Sequence, residues 1–264
     1  MEKLAQRLVS ALDYVQYSET SAKNASLVYF VPYRTFIADA APIQIAYCTH
    51  VESDIELREL FWTAARTVDY CVSQSRRYAD LLVNNGISNV VVISPGVDID
   101  LFKPLIRIGI VGRRYPSGRK GEALLSAVIG LPGIQWAFAG YGWLSKPTFI
   151  PDELMPRFYN GVDYILVPSL YEGGPMCVIE ALACGKEVIA PDVGWVNEFP
   201  HIPYKVGDVE SLRGVLGNLL QKRAELRAHV TSRTWAGWIE GHDRLFRHLL
   251  EGSRLLRQAG RSSC

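Results

Sequence analysis

Gly112 opens the loop GRRYPSGRKG at residues 112–121, in which four cations lie close together: Arg113, Arg114, Arg119 and Lys120. Because the free N–H groups of a helix N-terminus attract anions, a helix that begins after this loop adds to its positive charge. Such a loop can bind a diphosphate, or it can be an ordinary solvated basic loop. It does not carry the GxxxxGK[ST] pattern of a P-loop.

A second group of polar residues lies in YEGGPMCVIEALACG, residues 171–185. Glu172 stands in a glycine turn, where Gly173 and Gly174 allow backbone N–H groups to approach a ligand closely. A helix that starts near Pro175 points its positive end at this turn. Glu180 follows inside that helix among apolar neighbours, which indicates a role beyond solvation. The structural alternative is that Glu172 caps the helix and Glu180 faces solvent.

Alternating strand-like and helix-like segments must position these residues. Strands are predicted at 27–32, 43–48, 68–72, 89–94, 106–112, 134–140, 163–169 and 187–191. Helices are predicted at 54–66, 75–84, 121–130, 152–160, 175–185, 208–221 and 235–258, the last interrupted at Gly241 and Gly252. Nearly all-apolar strands that alternate with helices predict parallel sheets covered on both faces. Two such runs, on either side of the Pro- and Gly-containing linker 94–104, predict two α/β lobes.

The composition excludes several classes of protein. The net charge is +1, from 28 basic and 27 acidic residues, so there is no overall attraction to nucleic acid or membrane. The five cysteines form no CxxC pair, which argues against a disulfide framework or zinc site and favours a reducing compartment, the cytoplasm. No apolar run reaches the roughly 18 residues of a membrane span. The segment MEKLAQRLVSALDYVQ is predicted to be an amphipathic helix rather than a signal peptide.

Five segments, in order along the chain, resemble retaining glycosyltransferases of the two-lobed GT-B fold, namely glycosyltransferase family 4 (group 1). Residues 171–185 resemble the family's signature segment, in which seven residues separate two glutamates, here Glu172 and Glu180. The others are TVDYCVSQSRRYADLL, the interlobe run VVVISPGVDIDLFKP, the phosphate loop IGIVGRRYPSGRKGEALLSAV, and the turn VIAPDVGWVNEF. In that turn, Trp195 stands where the family commonly has a second glycine. The resemblance covers approximately residues 66–200.

The resemblance implies a role for each matching residue. Arg113 and Lys120 neutralise the diphosphate of a nucleotide-sugar donor, and Arg114 is the alternative to Arg113. Glu172 contacts the donor sugar, and Glu180 binds the ribose hydroxyls. The turn that supplies amides to sugar and phosphate comprises Gly173, Gly174, Pro175 and Met176. His50, which follows a strand, resembles a histidine that faces the reacting sugar; the alternative is a structural role.

The resemblance also implies a reaction. A sugar moves to a hydroxyl acceptor with retention of anomeric configuration, without a metal or any other cofactor. The departing phosphate oxygen takes the acceptor proton, so Glu172 positions the sugar and is not a nucleophile. Two alternatives stay open: a nucleotide-sugar epimerase of the same fold, and a non-catalytic sugar-nucleotide binding subunit. The spacing of Glu172 and Glu180 favours the transferase over the first, and retention of Arg113 and Lys120 argues against the second.

The chain departs from the family pattern at its start, where a helix replaces the usual strand and Gly-rich loop. The predicted domains are a reduced acceptor-side lobe at 1–98, a donor-binding lobe at 99–234, and a crossover helix at 235–264 that packs toward the first lobe. A compact enzyme, or a second copy or partner that completes the acceptor site, would account for the short lobe. The sequence does not identify the acceptor, and the candidates are a glycan, a lipid-linked sugar, a protein and modified DNA.

Overall fold

A computed structural model describes residues 2–19, 24–143 and 149–261, with side chains described to residue 253. Its contacts divide the chain into two compact units, Met1–Ile99 with Thr231–Cys264, and Asp100–Val230. The sequence placed the divisions after residues 98 and 234. Which substrate each unit holds stays a prediction.

The described residues form two parallel sheets and the helices that cover them. The strands are β1 (Val28–Phe30), β2 (Gln44–Cys48), β3 (Tyr70–Ser73), β4 (Val90–Val92), β5 (Ile106–Val111), β6 (Ile134–Ala139), β7 (Tyr164–Leu166), β8 (Glu187–Ala190) and β9 (Ile202–Pro203). The helices are α1 (Glu2–Ala11), α2 (Ile55–Thr67), α3 (Arg76–Asn84), α4 (Glu122–Val128), α5 (Met155–Asn160), α6 (Met176–Ala183), α7 (Val209–Ala228) and α8 (Trp235–Arg261). The predicted α/β class with two parallel sheets is confirmed.

The first unit contains a four-stranded sheet in the order β1-β2-β3-β4. Successive residues of β2 face opposite sides, so Ala46 and Cys48 pack under α2, whereas Ile45 and Tyr47 pack under α1 and α8. Every residue of β2 is buried, as expected of a central strand covered on both faces.

His242 of α8 is fully buried in the first unit. Its Nδ1–H donates to the carbonyl of Trp238 at 2.9 Å, because a carbonyl can only accept. Nε2 is then left to accept from the Tyr29 hydroxyl at 3.1 Å. Burial lowers the pKa of His242 to about 4, so the ring is neutral in the folded protein at neutral pH.

Lowering the pH from 7 to 5 should therefore reduce the free energy of unfolding by about 2 kcal/mol through His242 alone. The unfolded chain gains the proton near the ordinary pKa of about 6.5, whereas the folded chain gains it only near pH 4. This contribution is present above the unfolded pKa and is lost as the pH falls toward the folded pKa. Denaturant unfolding across this range should show a smaller pH dependence for His242→Gln. An equal dependence in both proteins would contradict the assignment.

The second unit contains a five-stranded parallel sheet in the order β6-β5-β7-β8-β9. Ile106, Ile108 and Ile110 of β5 pack with α4 and α7 on one face, and Ile165 of β7 packs with α5 and α6 on the other. From β5 the chain moves outward to β6 and then returns to the opposite side at β7. The sheet thus has a topological switch point between β5 and β7, where open α/β sheets bind ligands beyond the strand ends.

The structure corrects several predicted elements. α8 runs unbroken through Gly241 and Gly252. A Cβ at Gly241 would lie 3.1 Å from the Cγ2 of Ile93, so this glycine allows close packing instead of a break. α7 extends to Ala228, beyond the predicted end at 221. The predicted helix 152–160 begins with a 3₁₀ turn at Asp152–Leu154, and the short strand β9 was not predicted.

Within residues 2–19, 24–143 and 149–261, no helix is both long and apolar enough to cross a membrane. The cysteines in the described part are free thiols, at positions 48, 71, 177 and 184. The cytoplasmic location stays a prediction.

Candidate active site

Three loops of the second unit follow the carboxyl ends of neighbouring parallel strands. Residues 112–121 follow β5, residues 167–175 follow β7, and residues 191–195 follow β8. The first two loops flank the switch point of the sheet. The predicted site residues of this unit therefore lie at the edge where its topology favours ligand binding.

Backbone contacts fix the first loop to the second. The N–H of Leu170 donates to the carbonyl of Arg119 at 2.8 Å. Gly121 has a φ of +75°, and a Cβ there would lie 1.8 Å from the carbonyl oxygen of Pro168. Only glycine permits this backbone conformation together with this approach. Arg119 and Gly121 are thus both held against the second loop. Lys120 lies between them in sequence and is therefore placed close to the segment that carries Glu172.

Lys120 forms an ion pair with Oε1 of Glu172. The same oxygen accepts the hydroxyl of Ser169 at 2.8 Å. Side-chain exposure is 17% for Lys120 and 9% for Glu172, so the pair is largely shielded from water. Gly112 lies beside it, since a Cβ at Gly112 would be 4.0 Å from Nζ of Lys120. The structure thus brings together one predicted cation, one predicted carboxylate and Gly112, the glycine that follows β5.

The third loop packs beneath the Glu172–Gly174 turn. Gly194 has a φ of +58°, and a Cβ there would lie 2.5 Å from the carbonyl oxygen of Gly173. A Cβ at Gly174 would lie 2.8 Å from three ring carbons of Trp195. Trp195, where the resembled family commonly has glycine, therefore packs its ring against the backbone of Gly174. Its indole Nε1 is buried without a hydrogen-bond partner in the described part of the chain.

α6 begins at Met176, directly after this turn, and Pro175 precedes it. No side chain caps its first turn, so N–H groups at its positive end remain for a ligand. Cys177 lies in the same turn of the helix, and burial raises the pKa of its thiol to about 12. That thiol is therefore neutral and does not oppose an anion at the helix start.

Glu180 accepts a hydrogen bond at Oε2 from the hydroxyl of Tyr159. Tyr159 comes from α5 and is 1% exposed, whereas Glu180 is only partly buried. Glu180 is thus not freely solvated, and Glu172 does not cap α6, which has no side-chain cap. Its predicted role toward ribose stays a prediction.

The remaining basic residues of the first loop have their own partners. Nε of Arg114 lies 3.5 Å from Oε1 of Glu122. The guanidinium carbons of Arg113 and Arg119 lie 5.9 Å and 4.3 Å from the ring centroid of Tyr115. Arg113 is exposed and follows Gly112 directly, but its side chain does not join the Lys120–Glu172 pair.

His50 belongs to the first unit, two residues after β2. Its Nε2 lies 3.0 Å from Oε1 of Glu52, and its Nδ1 lies 3.0 Å from the hydroxyl oxygen of Thr49. Glu52 also pairs with Arg34. The side chain of His50 is 52% exposed, so it is accessible, and its catalytic role stays a prediction.

Sequence reasoning did not find Ser169, Tyr159 or Glu122 as members of this site. The only local signal was the position of Ser169, three residues before Glu172 at a strand end. Tyr159 reaches Glu180 from another helix, and nothing in its immediate sequence marks it. Glu122 begins α4 directly after the first loop and faces Arg114, eight residues earlier. From the sequence, the short loop GYGWLSKPTFIP at residues 140–151 is expected near the nucleobase of the donor. Residues 144–148 of this loop lie outside the described part of the chain, so this stays a prediction. Among the described residues, no three His, Cys, Asp or Glu side chains group as ligands for a metal ion.

The family model described as Glycosyl transferases group 1 matches residues 105–222, nearly all of the second unit. This segment is similar to group 1 glycosyltransferases. The resemblance to group 1 glycosyltransferases is thereby supported for this part of the chain, and the retaining mechanism stays a prediction. The match includes the first loop, the Lys120–Glu172 pair and α6.

Curated relatives carry transferase names. A D-inositol 3-phosphate glycosyltransferase of Mycolicibacterium smegmatis is 29% identical over 150 residues, which cover 43% of this chain and 34% of that protein. The O-antigen chain mannosyltransferase B of Escherichia coli is 29% identical over 80 residues, covering 30% of this chain and 21% of that one. The chain spans about a third of the length of the D-inositol 3-phosphate glycosyltransferases that it matches, 34% of one and 36% of another.

Among solved structures, HepE of Anabaena in complex with UDP-glucose is 17% identical, with a TM-score of 0.38. That likeness covers 94% of this chain and 82% of HepE.

Proposed function

We propose that this chain is a retaining glycosyltransferase that moves a sugar from a nucleotide-diphosphate donor, bound in the second unit, to a hydroxyl acceptor. The observation that carries the proposal is the Lys120–Glu172 pair, which lies where β5 and β7 end and beside the uncapped start of α6. A shielded cation, a carboxylate and free backbone N–H groups at one switch point suit a substrate that combines phosphate with sugar hydroxyls. The family match over residues 105–222 supports glycosyl transfer as the reaction class.

In the proposed reaction, the bond between the anomeric carbon and the diphosphate oxygen breaks, and the acceptor oxygen bonds to that carbon on the same face. The acceptor proton passes to the departing phosphate oxygen, and a nucleoside diphosphate leaves. Negative charge grows on the terminal phosphate as the bond breaks. Lys120, the start of α6 and, on donor binding, Arg113 would stabilise that charge, at about 3–4 kcal/mol for each well-placed donor. These groups supply the positive charge, so the proposal requires no metal.

The ion pair suits both parts of the donor. An ammonium group has three N–H donors, so Lys120 can keep its contact with Glu172 and still bind a phosphate oxygen. Oε1 of Glu172 already accepts hydrogen bonds from Nζ of Lys120 and from the hydroxyl of Ser169. Oε2 has no hydrogen-bond partner in the described part of the chain and is left to accept from a sugar hydroxyl. Glu172 then positions the sugar and does not attack it.

The acceptor and the assembly remain open within the proposal. The relatives' names mention an inositol 3-phosphate and an O-antigen chain, which are different acceptors. A glycan, a lipid-linked sugar, a protein and modified DNA all stay candidates, as does a second copy or a partner that completes the acceptor site. The matched relatives are named as transferases, which does not favour an epimerase.

A nucleoside diphosphate or its sugar ester should raise the melting temperature of the protein. At a hundred times the dissociation constant, binding adds about 2.7 kcal/mol of stability, equivalent to roughly 5–10 °C for a chain of this size. A panel of UDP, GDP, ADP, dTDP and their glucose or mannose esters measures this effect and identifies the base. Inorganic pyrophosphate is the control for simple anion binding. If no nucleotide shifts the transition more than pyrophosphate does, the proposed donor site is wrong.

A further inference from the structure

Tyr159 connects the core of the second unit to the second glutamate of the site. It lies near the end of α5 and is 1% exposed, packed among Val162, Ile165 and Val178. The ring of Phe158 meets it edge-on, with centroids 5.9 Å apart. A tyrosine enclosed in this way has a ring that cannot move freely, so its hydroxyl is presented from a fixed point.

The hydroxyl donates to Oε2 of Glu180, on α6. A carboxylate only accepts, so the direction of this bond is unambiguous. Burial raises the pKa of Tyr159, which keeps the proton on its oxygen. Within the described residues, the other oxygen, Oε1 of Glu180, has no partner. One oxygen of the carboxylate is therefore held from within the core and the other is left available.

We infer that Tyr159 is a positioning residue that fixes the carboxylate of Glu180 so that its available oxygen binds the ribose of the nucleotide. The inference rests on the proposed function, in which Glu180 receives the ribose hydroxyls. A glutamate has three side-chain torsions, and a carboxylate already ordered before binding loses less freedom when the ligand arrives. Tyr159 touches no substrate in this role and acts only through Glu180.

The decisive measurement is ribose discrimination, the ratio of the dissociation constants of a 2′-deoxynucleoside diphosphate and its ribose counterpart. Calorimetry with UDP, GDP and ADP first identifies the base that binds, and the matching 2′-deoxy compound follows. Since a hydrogen bond to a charged group is the interaction removed, the wild-type ratio should be about 10 to 100. Glu180→Gln should lower the ratio to about 5 or less, because the acceptor loses its charge. Tyr159→Phe should lower it about 3- to 10-fold, since the glutamate remains but is no longer held.

Tyr204→Phe is the matched control. Tyr204 lies in the same unit, is 5% exposed, and donates its hydroxyl to the carbonyl of Val167 at 2.8 Å. Its replacement removes the same atom and a comparable buried hydrogen bond, but it touches no carboxylate. Both phenylalanine variants should melt at lower temperature, whereas the ratio for Tyr204→Phe should stay within about twofold of wild type. A ratio that fell equally in both variants would show a general loosening and overturn the inference.

The outcomes separate this inference from the proposed function. If no nucleoside diphosphate binds, the proposed function fails. If Glu180→Gln lowers the ratio and Tyr159→Phe leaves it unchanged, only the positioning role of Tyr159 fails. Should Tyr159→Phe not fold, 4-aminophenylalanine at position 159 keeps a weaker donor on the same ring. A partial fall of the ratio would then support the inference, and an unchanged ratio would overturn it.

Discussion

Replacing Lys120 with alanine should lower the turnover number for sugar transfer by about 100- to 1,000-fold. The substitution removes the shielded cation from the place where the departing diphosphate would gain negative charge. Arg113 and Arg119 cannot take its place without leaving Tyr115, and Arg114 already faces Glu122. Steady-state release of nucleoside diphosphate from the donor identified by the melting panel measures the effect. Near-normal turnover would refute the role of Lys120.

Two further variants distinguish a direct loss of catalysis from a loss of turnover caused by lower stability. Lys205→Ala removes a lysine that is 81% exposed and should leave turnover unchanged, because its pair with Asp208 is a solvated surface contact. Lys120→Ala leaves the carboxylate of Glu172, 9% exposed, without its cation. Adding Glu172→Gln should restore melting temperature without restoring turnover. Recovery of both by the double variant would mean that Lys120 acts through stability alone.

Replacing Gly121 with alanine should destabilise the second unit by about 3–5 kcal/mol, with a fall of roughly 10 °C in its melting temperature. Two costs combine. The residue has a φ of +75°, which an L side chain adopts poorly, and its Cβ would lie 1.8 Å from the carbonyl oxygen of Pro168. The two loops would have to separate, and Lys120 would move away from Glu172. Calorimetric melting and nucleotide titration of the same sample should therefore both show the loss.

Gly130→Ala is the matched control for this substitution. Gly130 follows α4, the same helix that begins after Gly121, and a Cβ there meets no atom within 4 Å. This alanine should leave melting temperature and nucleotide affinity unchanged, because nothing opposes it. If Gly121→Ala behaved like Gly130→Ala, the close approach of the two loops would be wrong.

Most of the regular structure was readable because hydrophobic pattern and helix ends are local signals. α6 is bounded by Pro175 and Gly185, and β5 is a strand that is apolar except at Arg107 and is followed by a glycine. Gly241 misled the prediction, since glycine lowers helix propensity but packing against Ile93 decides the outcome. β9 has two residues and too little pattern to detect.

The contacts of the site were less readable because they join residues far apart in sequence. The loops containing Lys120 and Glu172 could be placed at one sheet edge, since the ends of parallel strands meet there. That the two side chains pair with each other depends on the approach of Gly121 to Pro168, which no local pattern encodes. Tyr159 reads simply as a core aromatic residue until the fold places it beside Glu180.

The backbone contacts among the three loops define where this protein tolerates insertion. Residues 115–117 form an exposed tip, closed by a hydrogen bond from Gly118 N–H to the carbonyl of Tyr115 at 3.1 Å. A short peptide tag or a fluorophore attachment site placed there would leave the contacts of Arg119 and Gly121 in register. One extra residue between Arg119 and Gly121 would shift that register and detach the two loops. Length variation among natural relatives should accordingly collect at the tip and be absent from the three residues that follow Gly118.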